Sequence, residues 1–483
     1  VAPPGTGKTT FVPPLVASRC SGRVIVTQPR RVAARAAARR LATLTGTRPG
    51  EFASHTVHGE STTTRDTKVE FVTTGVLLRR LLSDPDLTGV DAVVLDEVHE
   101  RHLDADLVVA MVCEVAQLRD DLTIVAMSAT VDSSGWAAFL GGVEPAPVVE
   151  VASALHELEV EWAPAAGAAV ESRGVSREFL GHLGTVTVDA LDRHTEGSAL
   201  VFVPGAREVD HVVADLRSRL AGIDVVGLSG AMSAREQDHA LSDPGNVRRV
   251  IVSTAVAESS LTVPGVRLVV DSGLSREPRL DRGRGMTGLV TVRESRASAV
   301  QRAGRAARLG PGVAVRCLRA QDWAGMNADP TPEVDHADLV ASLLSLAVWG
   351  SPRGEGMALP TPLPQDRVAA AEEELRDLGA VDAEGRITAR GRHLATFPLD
   401  PRLARALTDG AAIIGSRRCA EIAAMLGLED GQVDFVGQWR QLRSGRHPEA
   451  AMWRREADRL ARLINDVPPT DITDDDAVAT VVS

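Results

Sequence analysis

Three short stretches of this chain carry side chains whose types and spacing can do chemistry. In Ala2-Pro3-Pro4-Gly5-Thr6-Gly7-Lys8-Thr9-Thr10, glycines at 5 and 7 let backbone N–H groups turn inward around phosphate oxygens. Lys8 can then reach a terminal phosphate and the Thr9 hydroxyl can face Mg²⁺, while a helix beginning there points its positive end at the same anion. Ala2 stands where the first glycine of such a loop is usual. In Asp96-Glu97-Val98-His99, two adjacent carboxylates follow an apolar run. Asp96 suits the Mg²⁺ shell, and Glu97 suits the polarisation of an attacking water. In Gln301-Arg302-Ala303-Gly304-Arg305-Ala306-Ala307-Arg308, positions 301, 305 and 308 share one face of a helix. An arginine fork there meets phosphate charge without losing its proton.

Each stretch has a plainer reading: a Gly/Pro turn with a surface lysine, solvated acids favoured by a helix dipole, an exposed arginine-rich helix end. Composition weighs against the first, because Lys8 and Lys68 are the only two lysines in 483 residues. The second leaves the upstream apolar strand and the following His99-Glu100-Arg101 unexplained.

Positioning these groups requires a sheet. Short β-branched runs at 23–28, 69–73, 92–95 and 123–127 alternate with helical segments, which predicts a mostly parallel sheet with helices on both faces. Each run ends in polar residues: Thr27-Gln28, Thr73-Thr74, Asp96-Glu97 and Ser128-Ala129-Thr130. Ligands of such sheets bind outside the carboxyl ends of the strands, so four polar ends in line with a phosphate loop describe one active edge. Pro13 and Pro14 predict a first helix that is short or bent. After Val151 the pattern loosens into an Ala/Gly/Glu-rich connector. Strands resume at 199–203, 250–253 and 266–271, a second α/β domain with no second phosphate loop. Gly283 and Gly285 mark the turn of a basic hairpin between Asp271 and Arg296, and helix–helix–short-strand order from about Asp335 predicts a winged helix.

The length suggests three or four domains at about 100–200 residues each. With 44% hydrophobic and 24% charged residues the chain can bury sizeable cores, and no apolar run is long enough for a membrane span. Four scattered cysteines (20, 113, 317, 419) point to a reducing cytoplasm and away from zinc or disulfide frameworks. Net charge is −12, yet Val1 to Gly50 holds Lys8 and eight arginines and no acid, so a polyanion would be held by local basic faces.

Asp96-Glu97-Val98-His99-Glu100-Arg101 resembles the D-E-x-H box of the DEAH/RHA helicases of superfamily 2. Thr27-Gln28-Pro29-Arg30-Arg31 and Thr73-Thr74-Gly75 resemble nucleic-acid-contacting motifs of that family, and Ser128-Ala129-Thr130 the motif coupling hydrolysis to strand movement. Thr254 to Thr262 resembles the motif touching both nucleotide sugar and bound strand, and Gln301 to Arg308 the Q-R-x-G-R-x-G-R motif, with Ala307 in place of glycine. The text around Ala2 and His102-Leu103-Asp104 is most similar to the bacterial HrpB-type branch. The resemblance implies two tandem RecA-like domains (1–150 and 151–330), a winged helix (331–400) and a helical ratchet-like segment (401–483). It implies ATP and Mg²⁺ bound by Pro4, Gly5, Thr6, Gly7, Lys8, Thr9 and Thr10 with Asp96 and Glu97. Gln301 would orient water, Arg305 and Arg308 would act as arginine fingers, and Arg30, Arg31, Thr73, Thr74 and Thr254 would contact single-stranded RNA. Its activity would be ATP-dependent unwinding with 3′-to-5′ movement. Two alternatives stay open: a nucleic-acid scaffold with weak or no ATPase, and a motor that moves on RNA or DNA without unwinding. No initiating Met or strand precedes Val1, so further residues are expected before it, and the resemblance implies that the C-terminal parts usual for the branch are absent or truncated.

Overall fold

Val24–Gln28 is buried on both faces, as parallel strands covered by helices are. A computed structural model describes residues 1–2, 6–129, 133–151, 156–172, 174–243, 245, 247–259, 261, 263–281, 286–428, 434–447, 449–465, 467–468 and 472–482. Pro4, Gly5, Thr130, Thr262, Gly283 and Gly285 lie outside the described residues.

The first lobe runs α1 (Lys8–Ala17), β1 (Arg23–Gln28), α2 (Arg31–Thr45), β2 (Ala53–Val57), β3 (Glu60–Ser61), β4 (Val69–Thr73), α3 (Thr74–Ser83), β5 (Val90–Leu95), α4 (Leu103–Leu118), β6 (Thr123–Ala126) and α5 (Ser133–Gly141). Its sheet has the order β3-β2-β4-β1-β5-β6, parallel throughout except for the antiparallel β2–β3 pair. β1 therefore lies between β4 and β5, with Gln28 opposite Thr73 and Thr27 opposite Leu95. That register gathers the predicted polar ends at one edge. Pro13 and Pro14 do sit inside a short first helix of ten residues.

The second lobe contains β7 (Leu158–Trp162), the small pair β8 (Val170–Glu171) and β9 (Gly174–Val175), α6 (Arg177–Arg193), β10 (Ser198–Phe202), α7 (Ala206–Arg219), β11 (Asp224–Leu228), α8 (Ala234–Leu241), β12 (Arg249–Ser253), β13 (Val266–Asp271), β14 (Leu274–Asp281), β15 (Met286–Arg293), α9 (Arg296–Ala303), β16 (Gly312–Arg316) and α10 (Ala320–Ala324). Six parallel strands follow the order β11-β12-β10-β13-β16-β7, and β14 pairs with β15 as the expected hairpin. Here the expectation of an irregular connector fails. β7 joins the sheet edge beside β16, and the 17-residue α6 buries Phe179, Leu180, Leu183, Val186, Ala190 and Leu191 in the second core. Helical spacing wins there over the low propensity of Gly181, Gly184, Thr185 and Thr187.

α2 ties the lobes together. Its inner face packs on the first sheet through Ala34, Ala38 and Leu41, while Val32 and Ala33 join Leu200, Phe202, Leu228 and Ile251 of the second lobe in one apolar cluster.

The chain divides into two compact units. One comprises Val1–Leu280, Leu289–Ala337 and Met357–Pro362, and so holds both lobes. The other comprises Asp281–Gly288, Asp338–Gly356 and Leu363–Ser483. In it α11 (Val340–Trp349), α12 (Gln365–Asp377) and α13 (Ala389–Ala395) surround a short antiparallel bridge between Val381 and Ile387. There follow α14 (Pro401–Ile414), α15 (Ser416–Leu426), α16 (Phe435–Ser444), α17 (Ala450–Ala461) and α18 (Asp474–Val482). Among the described residues no helix is long and apolar enough to cross a membrane.

Candidate functional site

Gly7 caps α1 at φ +81°, a left-handed conformation that an L side chain adopts only with strain. Its carbonyl accepts from the Thr10 hydroxyl and from the amides of Thr10 and Phe11, which starts the helix and sends Lys8 and Thr9 toward the strand ends. Lys8 Nζ lies 2.8 Å from Glu97 Oε2, both side chains almost fully enclosed. The Thr9 hydroxyl donates to Asp96 Oδ2 at 2.8 Å, and Gln28 Nε2 donates to the same oxygen at 2.7 Å. The Asp96 amide donates to Thr27 Oγ1 at 3.1 Å, and the Glu97 amide to Asp96 Oδ1 at 3.0 Å. The carboxyl ends of β1 and β5 and the phosphate loop thus meet on two carboxylates.

Backbone strain fixes their aim. Glu97 has φ +54°, a left-handed value for a side chain with a Cβ. Such residues cost on the order of 1–3 kcal/mol and persist where the surroundings over-determine them. Burial, with the Glu97 charge beside it, pushes the Asp96 carboxyl up to about 7. A buried carboxylate pair beside Lys8 favours a further cation.

His99 reaches across to the second lobe. Its Nδ1 accepts from the Ala129 amide at 3.3 Å, and the Gln301 carboxamide lies 3.0 Å from Nε2. A ring that accepts the Ala129 amide at Nδ1 is a neutral imidazole. Burial holds His99 below its ordinary value, which favours that neutral form. Ser128 is buried at the same edge.

The expected single helical face for 301, 305 and 308 is not what forms. α9 ends at Ala303, Gly304 is its C-cap, and Arg305 and Arg308 lie in the turns beyond. The two arginines consequently differ. Arg305 is buried and donates to the backbone carbonyls of Glu258, Ser259 and Leu261, all within the second lobe. Arg308 Nε and Nη2 are buried with no hydrogen-bond partner, and burial draws this guanidinium down to about 10 against the pull of Glu97. Unpartnered buried donors are costly, and an anion would relieve that cost.

The nucleic-acid candidates are distributed along the carboxyl edges. Thr73 ends β4 and Thr74 opens α3, while Thr254 follows β12 and its amide donates to Leu228 O at 3.2 Å. Arg31 is exposed and donates to His58 O at 3.3 Å. Arg30 Nη1 is 3.2 Å from Glu100 Oε1 and 3.3 Å from Ser259 Oγ. Pro29, Thr74, Asp96, Glu97 and Glu100 line one cleft.

Some residues escaped sequence reasoning. Gln28 serves Asp96, and its remaining Oε1 is buried with no hydrogen-bond partner. Arg302 is an enclosed hub, paired with Glu258 (2.8 Å), Asp271 (3.0 Å) and Glu294 (2.6 Å). Burial, with the nearby charges of Asp271 and Glu258, pushes the Glu294 carboxyl well above its ordinary range despite Arg302. The signal was that each acid stands at or beside a strand or loop end, a pattern visible only once the strands are paired.

No group of three or more His, Cys, Asp or Glu side chains is arranged to hold a metal among the described residues. The available donors, the Thr9 hydroxyl and Asp96 carboxylate beside the orphaned Gln28 oxygen, are few, hard and oxygen-only. That set fits Mg²⁺, which keeps most of its waters and takes other oxygens from phosphates.

Comparison with known proteins follows the same motifs. The DEAD/DEAH box helicase family matches residues 1–136, the helicase conserved C-terminal domain 183–310, and the winged-helix helicase associated domain (HA2) 371–399. The chain is 37% identical over 431 residues to the ATP-dependent RNA helicase HrpB of Escherichia coli (strain K12), covering 88% of this chain and 52% of that protein. It is 32% identical over 451 residues to the probable ATP-dependent RNA helicase DHX35 homolog of Caenorhabditis elegans (90% and 61%). It is 32% identical over 435 residues to the human probable ATP-dependent RNA helicase DHX34 (88% and 37%). The crystal structure of the Escherichia coli DEAH/RHA helicase HrpB superposes with a TM-score of 0.83 at 34% identity, covering 96% of this chain and 57% of that one. The chain thus spans about half the length of the curated relatives it matches.

Proposed function

We propose, for a chain that belongs to the DEAD/DEAH box helicase family, that it hydrolyses ATP at the edge shared by the two lobes and uses the cycle to move along single-stranded RNA. The observation that carries this reading is the joined pair of contacts Lys8–Glu97 and Thr9–Asp96, both 2.8 Å. They put a phosphate-loop cation and hydroxyl directly on the two carboxylates that ATP hydrolysis needs.

In this reading the turn at Gly7, with Thr6, Thr10 and the expected Pro4 and Gly5, cradles the phosphates, and Lys8 leaves Glu97 for them. Thr9 and Asp96 would hold Mg²⁺, which would supply charge neutralisation to the phosphates. Glu97, freed of Lys8, accepts the proton of the attacking water. Gln301 and His99 hold that water from opposite lobes. Arg308 brings unpartnered donors to the developing phosphate charge, where fixed N–H groups act with little reorganisation. Arg305 requires release from three carbonyls to do the same, so it serves first to brace the turn carrying Arg308. The Ala129 amide donates to His99, and Ser128, Ala129 and the expected Thr130 would relay its state. Phosphate contacts from Arg30, Arg31, Thr73, Thr74 and Thr254 grip the strand with little sequence preference and strong salt dependence. Movement runs 3′ to 5′ with duplex unwinding, in a reducing cytoplasm to which the scattered thiols are suited.

Phosphate release with and without single-stranded RNA tests the proposal. Wild type is expected to be stimulated, and Glu97→Gln to lose turnover by about 10²–10⁴-fold, the usual worth of a positioned base. Absence of RNA stimulation overturns it. DNA in place of RNA, and duplexes tailed at the 3′ or 5′ end, decide sugar preference, unwinding and direction.

A further inference from the structure

Arg30 is already occupied by an anion. Glu100 ends the short helical turn that follows Glu97, and its two carboxylate oxygens serve three partners. Oε1 faces Arg30 Nη1 at 3.2 Å and accepts the hydroxyl of Ser259, a residue of the second lobe. The same Arg30 nitrogen lies 3.3 Å from Ser259 Oγ, which closes a three-membered ring of polar groups. Oε2 lies 2.9 Å from His102 Nε2, whose other nitrogen lies 3.3 Å from Glu333 Oε2. Glu333 also accepts from the Leu103 amide at 2.9 Å. The carboxylate is mostly enclosed, with 13% of its side chain exposed against 24% for Arg30.

A carboxylate on a guanidinium occupies donors that a phosphate oxygen would take. Resting on the RNA-binding reading above, we infer that Glu100 is a positioning residue: it holds Arg30 in reserve, and a nucleic-acid phosphate arriving at Arg30 displaces it and thereby unfastens Ser259 in the second lobe. One oxygen of Glu100 touches both Arg30 and the second-lobe Ser259 hydroxyl. Arrival of the strand and rearrangement of the lobe that carries Arg305 and Arg308 are coupled there. Ser259 suits the task because its own carbonyl accepts from Arg305 Nη2, so motion at Ser259 is felt at that guanidinium. His102 and Glu333 keep Glu100 from following Arg30 outward, so the contact breaks instead of stretching.

The coupling predicts opposite effects on two quantities that a simple structural role would move together. Glu100→Gln keeps the shape and removes the competing charge. Affinity for single-stranded RNA, read by fluorescence anisotropy of a labelled oligonucleotide, is expected to rise about threefold, as befits one partly exposed ion pair. Maximal RNA stimulation of phosphate release is expected to fall at least fivefold, because strand binding no longer acts on Ser259. Ser259→Ala is expected to leave the RNA affinity within about twofold of wild type and to lose the same stimulation. Equal losses of affinity and stimulation in Glu100→Gln, or full stimulation in Ser259→Ala, overturn the inference while wild-type stimulation keeps the RNA-motor reading intact. A wild type that neither binds RNA nor responds to it overturns both.

Discussion

Glu70, the second residue of β4, gives a stability effect whose size and sign follow from the geometry. Its side chain is 1% exposed and receives Arg80 at both oxygens (2.8 and 2.9 Å), Arg23 at 3.2 Å, Thr56 at 2.7 Å and Thr63 at 3.1 Å. Burial pushes the carboxyl up, but Arg80, Thr56 and Arg23 outweigh it and hold it at about 2 against an ordinary 4.5. A depressed folded value means stability that is present above the unfolded value and lost as pH falls toward the folded one. That gap gives about 3 kcal/mol at pH 7. At pH 3 roughly 1 kcal/mol remains by the same linkage, and at pH 2 almost none. Glu70→Gln should therefore destabilise the frame of β1, β2, β4 and α3 by about 3 kcal/mol at neutral pH and by less than half of that at pH 3. Hydrogen exchange of β4 and α3 peptides, variant against wild type at each pH, reads the local opening energy. Equal loss at both pH values, or a loss under ~1 kcal/mol at pH 7, would refute the reasoning.

Gly7→Ala places a Cβ at φ +81°, which costs about 1–2 kcal/mol and distorts the phosphate loop; the KM for ATP should rise about tenfold, and an unchanged KM would deny the loop its role. Trp439 is fully buried, flanked by Arg418 and Arg443, with Nε1 3.3 Å from Glu421. Its replacement by Ala should cost roughly 3–5 kcal/mol and lower the calorimetric Tm, while Phe should cost less. For His102, burial is outweighed by hydrogen bonds to Glu100 and Glu333, which raise it to about 10 although Arg30 opposes them. Its contribution is complete below about pH 6.5 and fades as pH rises toward 10, so His102→Gln should be less stable than wild type at pH 6 and equal to it by pH 10.5 in urea titrations.

What could be read from residues alone was the chemistry and the strands that carry it. Asp96 and Glu97 were legible because an apolar run precedes them, and Lys8 because lysine is so rare here. β2 was not, since Ser54, His55 and Thr56 break both the apolar run and strict alternation; those groups turn inward to meet Thr62, Thr63 and Glu70 instead of solvent. β7 escaped because it is an edge strand with exposed Glu159 and Val160. The helix after Arg296 stopped at Ala303 although 301, 305 and 308 fit its period, because periodicity says nothing about where tertiary hydrogen bonds to Arg305 begin. The Arg302 hub lay beyond any local pattern, its three acids coming from a loop, a strand end and the far side of a hairpin.

The apolar residues at the start of α2 also set a timetable for synthesis. Val32 and Ala33 emerge early, but the cluster that covers them is completed by Ala303 and Ala314, some 280 residues later. At about 5–20 residues per second, the nascent first lobe must carry an uncovered greasy turn for roughly 15–55 s. During that interval the turn is a natural place for a chaperone to hold.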